Sequence, residues 1–474
     1  MHELPEHYIK VAWEWLVTSY GLVLDSKIKT RGDVSTIELN FGSHKFRVIS
    51  PLTYVPSYLI FSLRGFGISA PFIGDSPKEV DYGDGVIFLQ NHKRYTCGTI
   101  RRGKLLLGFD PFAFIYLTIS GILEKEIPGD IYSNLVKEPY LDSISEIVFK
   151  AIRHLVISCG CPLVVKTFWP NGKHFAVCLT HDVDEIKKTY QYLTRSIRSL
   201  KQLNFVGLKN EFVSLINKLK GNDPYWTFDE LINLERHLGV TSSFYFLRER
   251  GKVKIFDKRT WRHLGRRYNF KEPKLVKLIK KLYSEGWDIG LHGSFYSYNN
   301  SNLLKEEKKE LEEVLNNKVA GIRQHNLNIS IPKTWRIHES LGFEYDTTLG
   351  SNHYVGFRWG TCFPFYPYDA ERNRFLNILE IPTHIEDIVL FRYPDPWRTC
   401  IEMIKKVKKT GGVLTLLWHH SVFNELEYPG WAKLYEQIIN YCKKRNAWVT
   451  NAYEVARWWK MRRNSKLTCK LNNN

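Results

Sequence analysis

The chain has 474 residues, of which 43% are hydrophobic and 25% are charged. This composition excludes a disordered chain, and the length excludes a single small domain, so two or three domains with sizeable cores are expected. Lysine and arginine number 68 against 49 acidic residues, a net charge of +19. Solvated lysine-rich helix faces are the simpler explanation of this charge. The alternative is attraction to anionic partners: acidic glycans, phosphorylated lipid carriers, membrane surfaces or nucleic acid.

Residues 1–165 predict a mixed α+β domain. Short β-like runs at 36–39, 45–49 and 86–89 are separated by turn residues, and helical stretches follow at 110–123 and 143–158. This region shows no pattern of catalytic residues. We therefore predict an accessory domain, and the sequence does not indicate what it binds.

Residues 166–465 show a different pattern, in which strand-like runs alternate with helices. The seven runs are 175–184, 240–246, 287–292, 320–325, 344–349, 378–382 and 413–419. A basic amphipathic stretch at 185–219 follows the first run, and Thr227 with Glu230 is typical of a capping box that begins a helix. Alternation of this kind predicts parallel βα units of the α/β class, and a closed or nearly closed barrel explains it better than an open sheet.

The first strand-like run ends in Thr180-His181-Asp182-Val183-Asp184. Alternate positions of a strand share a face, so Asp182 and Asp184 are expected to point the same way. Two neighbouring carboxylates repel each other unless a cation or a shared proton lies between them. The pattern therefore indicates a site, although solvated loop aspartates or helix caps are the alternative.

Further polar residues fall at the ends of the later predicted strands: His292, Arg323, His325, Asp346 and His419. In barrels of parallel strands the chemistry lies at the carboxyl ends of the strands. A single histidine there is usually structural, but the repeated placement predicts a functional site.

Cysteine usage and the apolar stretches indicate the compartment. The eight cysteines form no Cys-x-x-Cys pair, which disfavours a thiolate zinc site and favours a reducing compartment. The N-terminus lacks the form of a secretory signal, and the apolar stretch 105–123 is broken by Asp110 and Pro111. We expect a cytoplasmic protein, with peripheral contact to a membrane left open. No nucleic-acid motif accompanies the charge, so nucleic acid is not an expected partner.

In this order, the motifs resemble those of polysaccharide deacetylases of the carbohydrate esterase 4 type. The likeness runs from about residue 170 to 460 and is greatest to a divergent subgroup with a His-Asp-Val-Asp motif and an extra N-terminal domain. It implies a distorted (β/α)7 barrel and a hydrolase that removes N-acetyl groups from an N-acetylated saccharide, in a polysaccharide or a lipid-linked glycan precursor. It also implies a divalent metal cofactor, with zinc as the first candidate.

The resemblance assigns a role to each matching residue. Asp182 would be the general base, Arg323 would orient it, and His419 would be the general acid. Asp184 and His292 would be metal ligands. These roles describe hydrolysis by a metal-bound water, with a proton delivered to the leaving amine.

The second motif of the family departs from its pattern here, because Tyr296 stands where a second histidine is usual. His325 could supply the missing metal-ligating nitrogen. Alternatively, His325 binds substrate, or the metal is held with additional water. Trp226, Tyr296 and Asp346 are the candidates for contact with substrate.

Two other functions remain open on the sequence alone. The first is a catalytically inactive saccharide-binding protein, which Tyr296 favours. The second is a metal-free glycoside hydrolase with a pair of carboxylic acids. The oligomeric state is not predicted.

Overall fold

The computed structural model of the chain describes residues 4–5, 7–31, 34–41, 44–51, 78–81, 86–90, 93–101, 103–107, 110–127, 129–250 and 266–465. The chain divides into two compact units. The first comprises 1–172, 356–374 and 458–474, and the second comprises 173–355 and 375–457. The two domains expected from the sequence, 1–165 and 166–465, stay a prediction. They do not include 356–374 and 458–474 in the first domain, whereas the first unit does.

The N-terminal part of the first unit is a mixed α+β structure, as predicted. Its elements are α1 (Tyr8–Tyr20), β1 (Asp25–Arg31), β2 (Val34–Phe41), β3 (His44–Pro51), β4 (Lys78–Asp81), β5 (Val86–Gln90), β6 (Lys93–Arg101), β7 (Lys104–Leu107), α2 (Pro111–Ile119), α3 (Ile122–Glu126), α4 (Gly129–Leu135) and α5 (Tyr140–Ser158). The strands form one sheet in the order β1-β2-β3-β7-β6-β5-β4. Every pairing is antiparallel except that of β3 with β7.

Helix α2 lies in the core of this unit. All of its side chains are buried, which agrees with its apolar sequence. Asp110 caps its first turn by accepting hydrogen bonds from the backbone N–H groups of Phe112 and Ala113, both at 3.0 Å. The ring of Phe112 packs edge-on against Trp13 of α1, a helix that the sequence pattern did not indicate.

The second unit contains the alternating strands and helices. The elements after residue 172 are, in chain order, β8 (Phe175–Val183), α6 (Gln191–Lys201), α7 (Phe205–Leu219), α8 (Phe228–Leu238), β9 (Ser243–Leu247), α9 (Pro273–Ser284), β10 (Asp288–Gly293), α10 (Ser301–Leu315), β11 (Gly321–Gln324), α11 (Lys333–Ser340), β12 (Tyr345–Asp346), β13 (Tyr368–Asp369), β14 (Arg374–Phe375), β15 (Leu379–Glu380), β16 (Ile385–Glu386), α12 (Asp387–Leu390), α13 (Pro396–Thr410), β17 (Val413–Leu417), α14 (Trp431–Lys443), β18 (Ala447–Thr450) and α15 (Ala452–Asn464). Of these, β13 belongs to the first unit, and β14 and α15 each include residues of both units.

The strands of this unit form a curled parallel sheet in the order β15-β12-β11-β10-β9-β8-β17-β16. The segment that begins with β15 and ends with β16 changes partner along its length. Its first part pairs with β12 and its last part pairs with β17. One segment therefore lies between β12 and β17, which completes seven strand positions around a distorted barrel. The predicted α/β fold class and the distorted (β/α)7 barrel are confirmed.

Two local features differ from the sequence pattern. Strand β18 was not predicted, and it pairs in parallel with the first half of β8. The capping box at Thr227 is wrong, because this side chain makes no cap hydrogen bond to α8. Its hydroxyl instead donates to the carbonyl oxygen of His420 at 2.6 Å. A tertiary hydrogen bond has replaced the local one.

Membrane-spanning helices and disulfides are the two features of the structure that bear on the expected compartment. Across the described ranges, none of the helices combines the length and the apolar character needed to cross a membrane. The cysteines whose side chains are described have free thiols: Cys159, Cys161, Cys178, Cys362, Cys400 and Cys442. Cys469 lies outside the described residues.

Candidate active site

The carboxyl end of β8 carries the first of the predicted site residues. Asp182 is the penultimate residue of this wholly buried strand, and its Oδ1 atom lies 2.8 Å from Nη1 of Arg323 on β11. Arg323 is itself fully buried and donates further hydrogen bonds to Thr347 O at 3.3 Å and Thr383 Oγ1 at 3.2 Å. A buried ion pair with these extra bonds fixes the orientation of the Asp182 carboxylate.

His292 lies beside both carboxylates of the first motif. It is paired in register with Arg323 across β10 and β11, and its Nδ1–H donates to the Arg323 carbonyl oxygen at 2.9 Å. That bond leaves the lone pair on Nε2. Nε2 lies 3.2 Å from Asp184 Oδ1 and 3.5 Å from Asp182 Oδ2.

Asp184, His292 and His325 form a group that could hold a metal ion, with their ligand atoms within 4.8 Å of one another. His325 Nε2 lies 3.5 Å from Asp184 Oδ2. Zinc bonds of about 2.0–2.1 Å in tetrahedral geometry place neighbouring ligand atoms roughly 3.3–3.5 Å apart, close to these separations. The buried Oδ1 of Asp184 has no hydrogen-bond partner among the described residues. The donor set therefore fits a divalent cation.

A guanidinium also contacts this group. Arg266 Nη1 donates to His325 Nε2 at 2.7 Å, and its Nη2 lies 3.0 Å from Asp184 Oδ2. A lone pair that accepts a hydrogen bond from Arg266 is not free to bind a metal. Metal binding through Nε2 of His325 therefore requires Arg266 to withdraw from this atom.

His419 has a carboxylate partner of its own. Its Nδ1–H donates to Asp387 Oδ1 at 2.8 Å, and its backbone N–H donates to Asp387 Oδ2 at 2.7 Å. Burial alone would lower the pKa of His419, but the charge and hydrogen bond of Asp387 raise it to about 10. His419 is therefore protonated at neutral pH, and its side chain stays partly accessible.

A second possible metal group comprises Glu386, Asp387 and His419. Both carboxylate oxygens of Asp387 already accept hydrogen bonds from His419. Asp387 therefore orients the imidazole of His419 and stabilises its protonated form. Nε2 of His419 is left as the atom available to a substrate.

The two aspartates of the first motif are ionised for different reasons. Burial would raise the pKa of Asp182, but its electrostatic interactions with His292, Arg323 and His419 hold it below its usual value. Burial acts on Asp184 in the same way, and Arg266 with the two histidines brings its pKa well below the ordinary range. Both carboxylates are therefore ionised and can accept a proton or a cation.

The predicted substrate residues lie in three different environments. The side chain of Tyr296 is about half exposed and packs edge-on against Phe295. Trp226 lies in contact with Lys274, whose Nζ is 3.7 Å from the ring centroid. Asp346 is fully buried, with Oδ2 accepting from His338 Nδ1 at 2.8 Å. The structure thus brings together Asp182, Asp184, His292, Arg323 and His325, whereas the contacts of Asp346 are structural.

Sequence reasoning missed three residues of this site. Asp387 directly follows a short strand, and an acid at a strand end was a signal that could have identified it. Thr383 precedes the same strand and carries no comparable signal. Arg266 lies between a helix and a strand, outside any periodic pattern, so only the folded chain shows that it contacts the metal-ligand candidates.

No family model matches the chain. Among curated proteins, an FBD-associated F-box protein of Arabidopsis thaliana is 26% identical over 155 residues, which are 31% of this chain and 34% of that protein. The chain therefore spans about a third of the length of this curated relative.

Several solved structures are similar in fold. A protein of Mycobacterium smegmatis assigned as a polysaccharide deacetylase is 15% identical with a TM-score of 0.42, covering 65% of this chain and 98% of its own. A second protein so assigned, from Pseudomonas aeruginosa PAO1, is 13% identical with a TM-score of 0.41, covering 64% of this chain and 96% of its own. The Puue allantoinase is 13% identical with a TM-score of 0.41, covering 62% of this chain and 93% of its own.

Proposed function

We propose that this protein is a metal-dependent hydrolase that removes N-acetyl groups from an N-acetylated saccharide. One observation carries the proposal. A base candidate held by an arginine, a set of metal-ligand candidates and a charged histidine–aspartate pair all lie at the carboxyl ends of barrel strands. The deacetylase description of the similar solved structures supports the same chemistry.

In this proposal, the proton transfers belong to two residues. Asp182 accepts a proton from the attacking water, because Arg323 fixes its carboxylate and leaves Oδ2 facing the site. His419 donates a proton to the leaving amine, because Asp387 keeps it charged at neutral pH. Amide hydrolysis needs this second proton, since an unprotonated amide nitrogen is a very poor leaving group.

Asp184, His292 and His325 would hold the cation, with zinc as the first candidate. When bound, a divalent cation lowers the pKa of its water and polarises the carbonyl of the scissile amide. Trp226 and Tyr296 stay candidates for contact with the sugar ring, since aromatic faces pack against apolar faces of saccharides. We propose a glycan with anionic character or a lipid-linked precursor as the substrate, because the chain carries a net charge of +19.

A saccharide-binding protein without catalytic activity is the second candidate. The observation that favours it is the contact of Arg266 with both Asp184 and His325. If the guanidinium remains in place permanently, it takes the role of the cation and the protein binds no metal. The two candidates therefore differ in their affinity for zinc.

Metal analysis combined with an acetate-release assay tests the proposal. Purified protein dialysed against zinc should retain about one ion per chain and release acetate from at least one N-acetylated glycan of a panel. Asp184→Ala and His292→Ala should each lose the ion and the activity, because three-ligand sites tolerate the loss of a ligand poorly.

Matched controls come from exposed residues of the same types on α8. Asp229→Ala and His237→Ala should keep both the ion and the activity, since both side chains are exposed to solvent. Full zinc content in Asp184→Ala and His292→Ala would reject the metal site. Protein that binds a glycan but no zinc would select the inactive candidate.

A further inference from the structure

Helices α6 and α7 form a hairpin with an apolar outer face. Between 43% and 81% of each of the following side chains is exposed: Leu193, Ile197, Leu200, Leu203, Phe205, Val206, Phe212, Leu215 and Leu219. On α7, Phe205, Phe212 and Leu219 recur at a spacing of seven and therefore lie along one face. Nine exposed apolar side chains on one helix pair form a patch of the kind that marks an interaction site.

The inner face of the hairpin is polar instead of apolar. Its buried residues are Gln191 and Ser199 on α6 and Glu211 and Ser214 on α7. A helix that packs onto a soluble core buries its apolar stripe and exposes its polar face. This hairpin does the reverse, so ordinary packing does not explain its outer face.

Buried ion pairs attach the hairpin to the loop that follows His419. Lys188 Nζ lies 2.7 Å from Glu211 Oε2 and also contacts Glu427. Arg195 lies 3.0 Å from the same Glu427. Because charged pairs hold the inner face, the apolar side chains are directed to the surface in a fixed arrangement.

The charge around the apolar face is positive. Residues 191–220 include six basic residues and one acidic residue. The acid, Glu211, is buried against Lys188, whereas Arg198, Lys201, Lys209, Lys218 and Lys220 are exposed. An apolar face with a cationic rim complements an anionic bilayer, and two copies of this rim would repel each other.

We propose that this hairpin docks the protein on the surface of an anionic lipid bilayer. Its apolar row enters the boundary between headgroups and acyl chains, and its basic residues contact the lipid phosphates. The helices are 11 and 15 residues long, which suits helices that lie in the interface plane. If the proposed deacetylase function holds, this docking brings the site, seven residues before α6, to a saccharide carried on a lipid.

Flotation with lipid vesicles tests the proposal. Full-length protein should float with vesicles of phosphatidylcholine and phosphatidylserine, and more weakly with phosphatidylcholine alone. Phe205→Ser/Phe212→Ser should weaken binding at least tenfold, because it removes two large apolar side chains from the interface. Lys201→Gln/Lys209→Gln should weaken it roughly fivefold per residue on anionic vesicles only.

The matched control is Ile157→Ser/Met461→Ser, which removes two apolar side chains of similar exposure from other helices. It should bind vesicles like the wild type. Wild-type protein that stays unbound would overturn the proposal, as would sedimentation showing a dimer that Phe205→Ser/Phe212→Ser converts to monomer. Vesicle binding without any acetate release would retain the docking surface and reject the proposed function.

Discussion

Arg323 shows how one residue organises the site. Its guanidinium is fully buried and bonds Asp182, Thr347 and Thr383, while its backbone carbonyl accepts the hydrogen bond of His292. It thus orients the base candidate through its side chain and a metal-ligand candidate through its main chain. The resemblance assigned only the first of these roles, because a motif names side chains and does not show backbone contacts.

At the same scale, Arg266 leads to a prediction about metal affinity. Its Nη1 occupies the lone pair of His325 Nε2, and its charge opposes a divalent ion beside Asp184. We therefore expect Arg266→Gln to bind zinc at least tenfold more tightly than the wild type, as measured by competition with a chelating dye.

Arg248→Gln is the matched control for Arg266→Gln. Arg248 pairs with Glu310 at 2.8 Å, so its loss should leave zinc affinity unchanged. Weaker zinc binding in Arg266→Gln would mean that the guanidinium positions the ligands instead of competing with the ion.

Asp387 leads to a prediction about pH dependence. The pKa of His419 is about 10 because Asp387 stabilises the charged imidazole against the effect of burial. Because the proposed mechanism needs the acid form of His419, kcat should fall as pH rises toward 10. In Asp387→Asn this decline should begin at lower pH, near or below the usual histidine value of about 6.5.

The assay for this prediction is a profile of kcat against pH at saturating substrate. Glu402→Gln serves as the control, because this carboxylate is exposed on α13 and pairs with Arg398 at 3.2 Å. An alkaline limb that is identical in Asp387→Asn and the wild type would remove His419 from the role of general acid.

At the scale of elements, the sequence pattern predicted the positions of the barrel strands but not their lengths, and some strands are shorter than the predicted runs. The predicted run 344–349 is reduced to β12, because Asp346 accepts a hydrogen bond from the backbone N–H of Thr348 and turns the chain away. Likewise β11 ends at Gln324, so His325 reaches the site from the following turn. Local side-chain bonds of this kind compete with strand pairing and are invisible to periodicity.

Gly321 makes a testable contribution to the packing of β11. A Cβ atom there would lie 2.0 Å from the hydroxyl of Tyr345, which is buried and bonded to Asp288. Because Tyr345 cannot move without breaking that bond, Gly321→Ala should lower the free energy of unfolding by about 1–3 kcal/mol or more.

Urea unfolding followed by tryptophan fluorescence measures this effect. Gly129→Ala is the control, since an added Cβ there meets no atom within 4 Å and the residue begins a helix. It should be neutral or stabilising by about 0.4–1 kcal/mol. Equal stability of both variants would show that the Tyr345 pocket yields easily.

At the scale of the whole molecule, the class and the barrel followed from the alternation of seven strand-like runs with helices. The same pattern did not predict that residues 356–374 and 458–474 belong to the first unit. These segments are joined to the earlier part of the unit by hydrogen bonds such as those of Cys362 N to Asp142 Oδ2 and of Arg462 Nη1 to Thr18 O, both at 2.8 Å. Contacts between residues so distant along the chain leave no periodic trace in the sequence.

Asp142 makes the stability of the first unit depend on pH. Burial raises its pKa against the effect of bonds from Thr361 and Cys362, to about 7 from an ordinary 3.8. The folded state therefore keeps a proton that the unfolded state releases. Its contribution is complete below pH 3.8 and is lost as pH rises through about 7.

Asp142→Asn removes this titration. Relative to this variant, the wild type should lose up to about 1.4 kcal/mol of unfolding free energy per pH unit between the two pKa values. Above about pH 7 the difference should be constant. Denaturant midpoints measured from pH 4.5 to 8.5 test this, with Asp229→Asn as the exposed control. A wild-type curve parallel to that of Asp142→Asn would contradict the prediction.

The pairing of β8 with β17 has a consequence for how the protein is made. Thr180 and Leu416 are 236 residues apart in sequence, and their hydrogen bond of 2.6 Å joins the first and last strands of the ring. A ribosome releases the metal-ligand candidates at the ends of β8, β10 and β11 long before it releases β17 and the acid candidate His419. Because such distant contacts form only after both partners have emerged, a growing chain passes through a stage with an open barrel and half a site. The proposed hydrolysis is thereby confined to chains whose synthesis has passed β17.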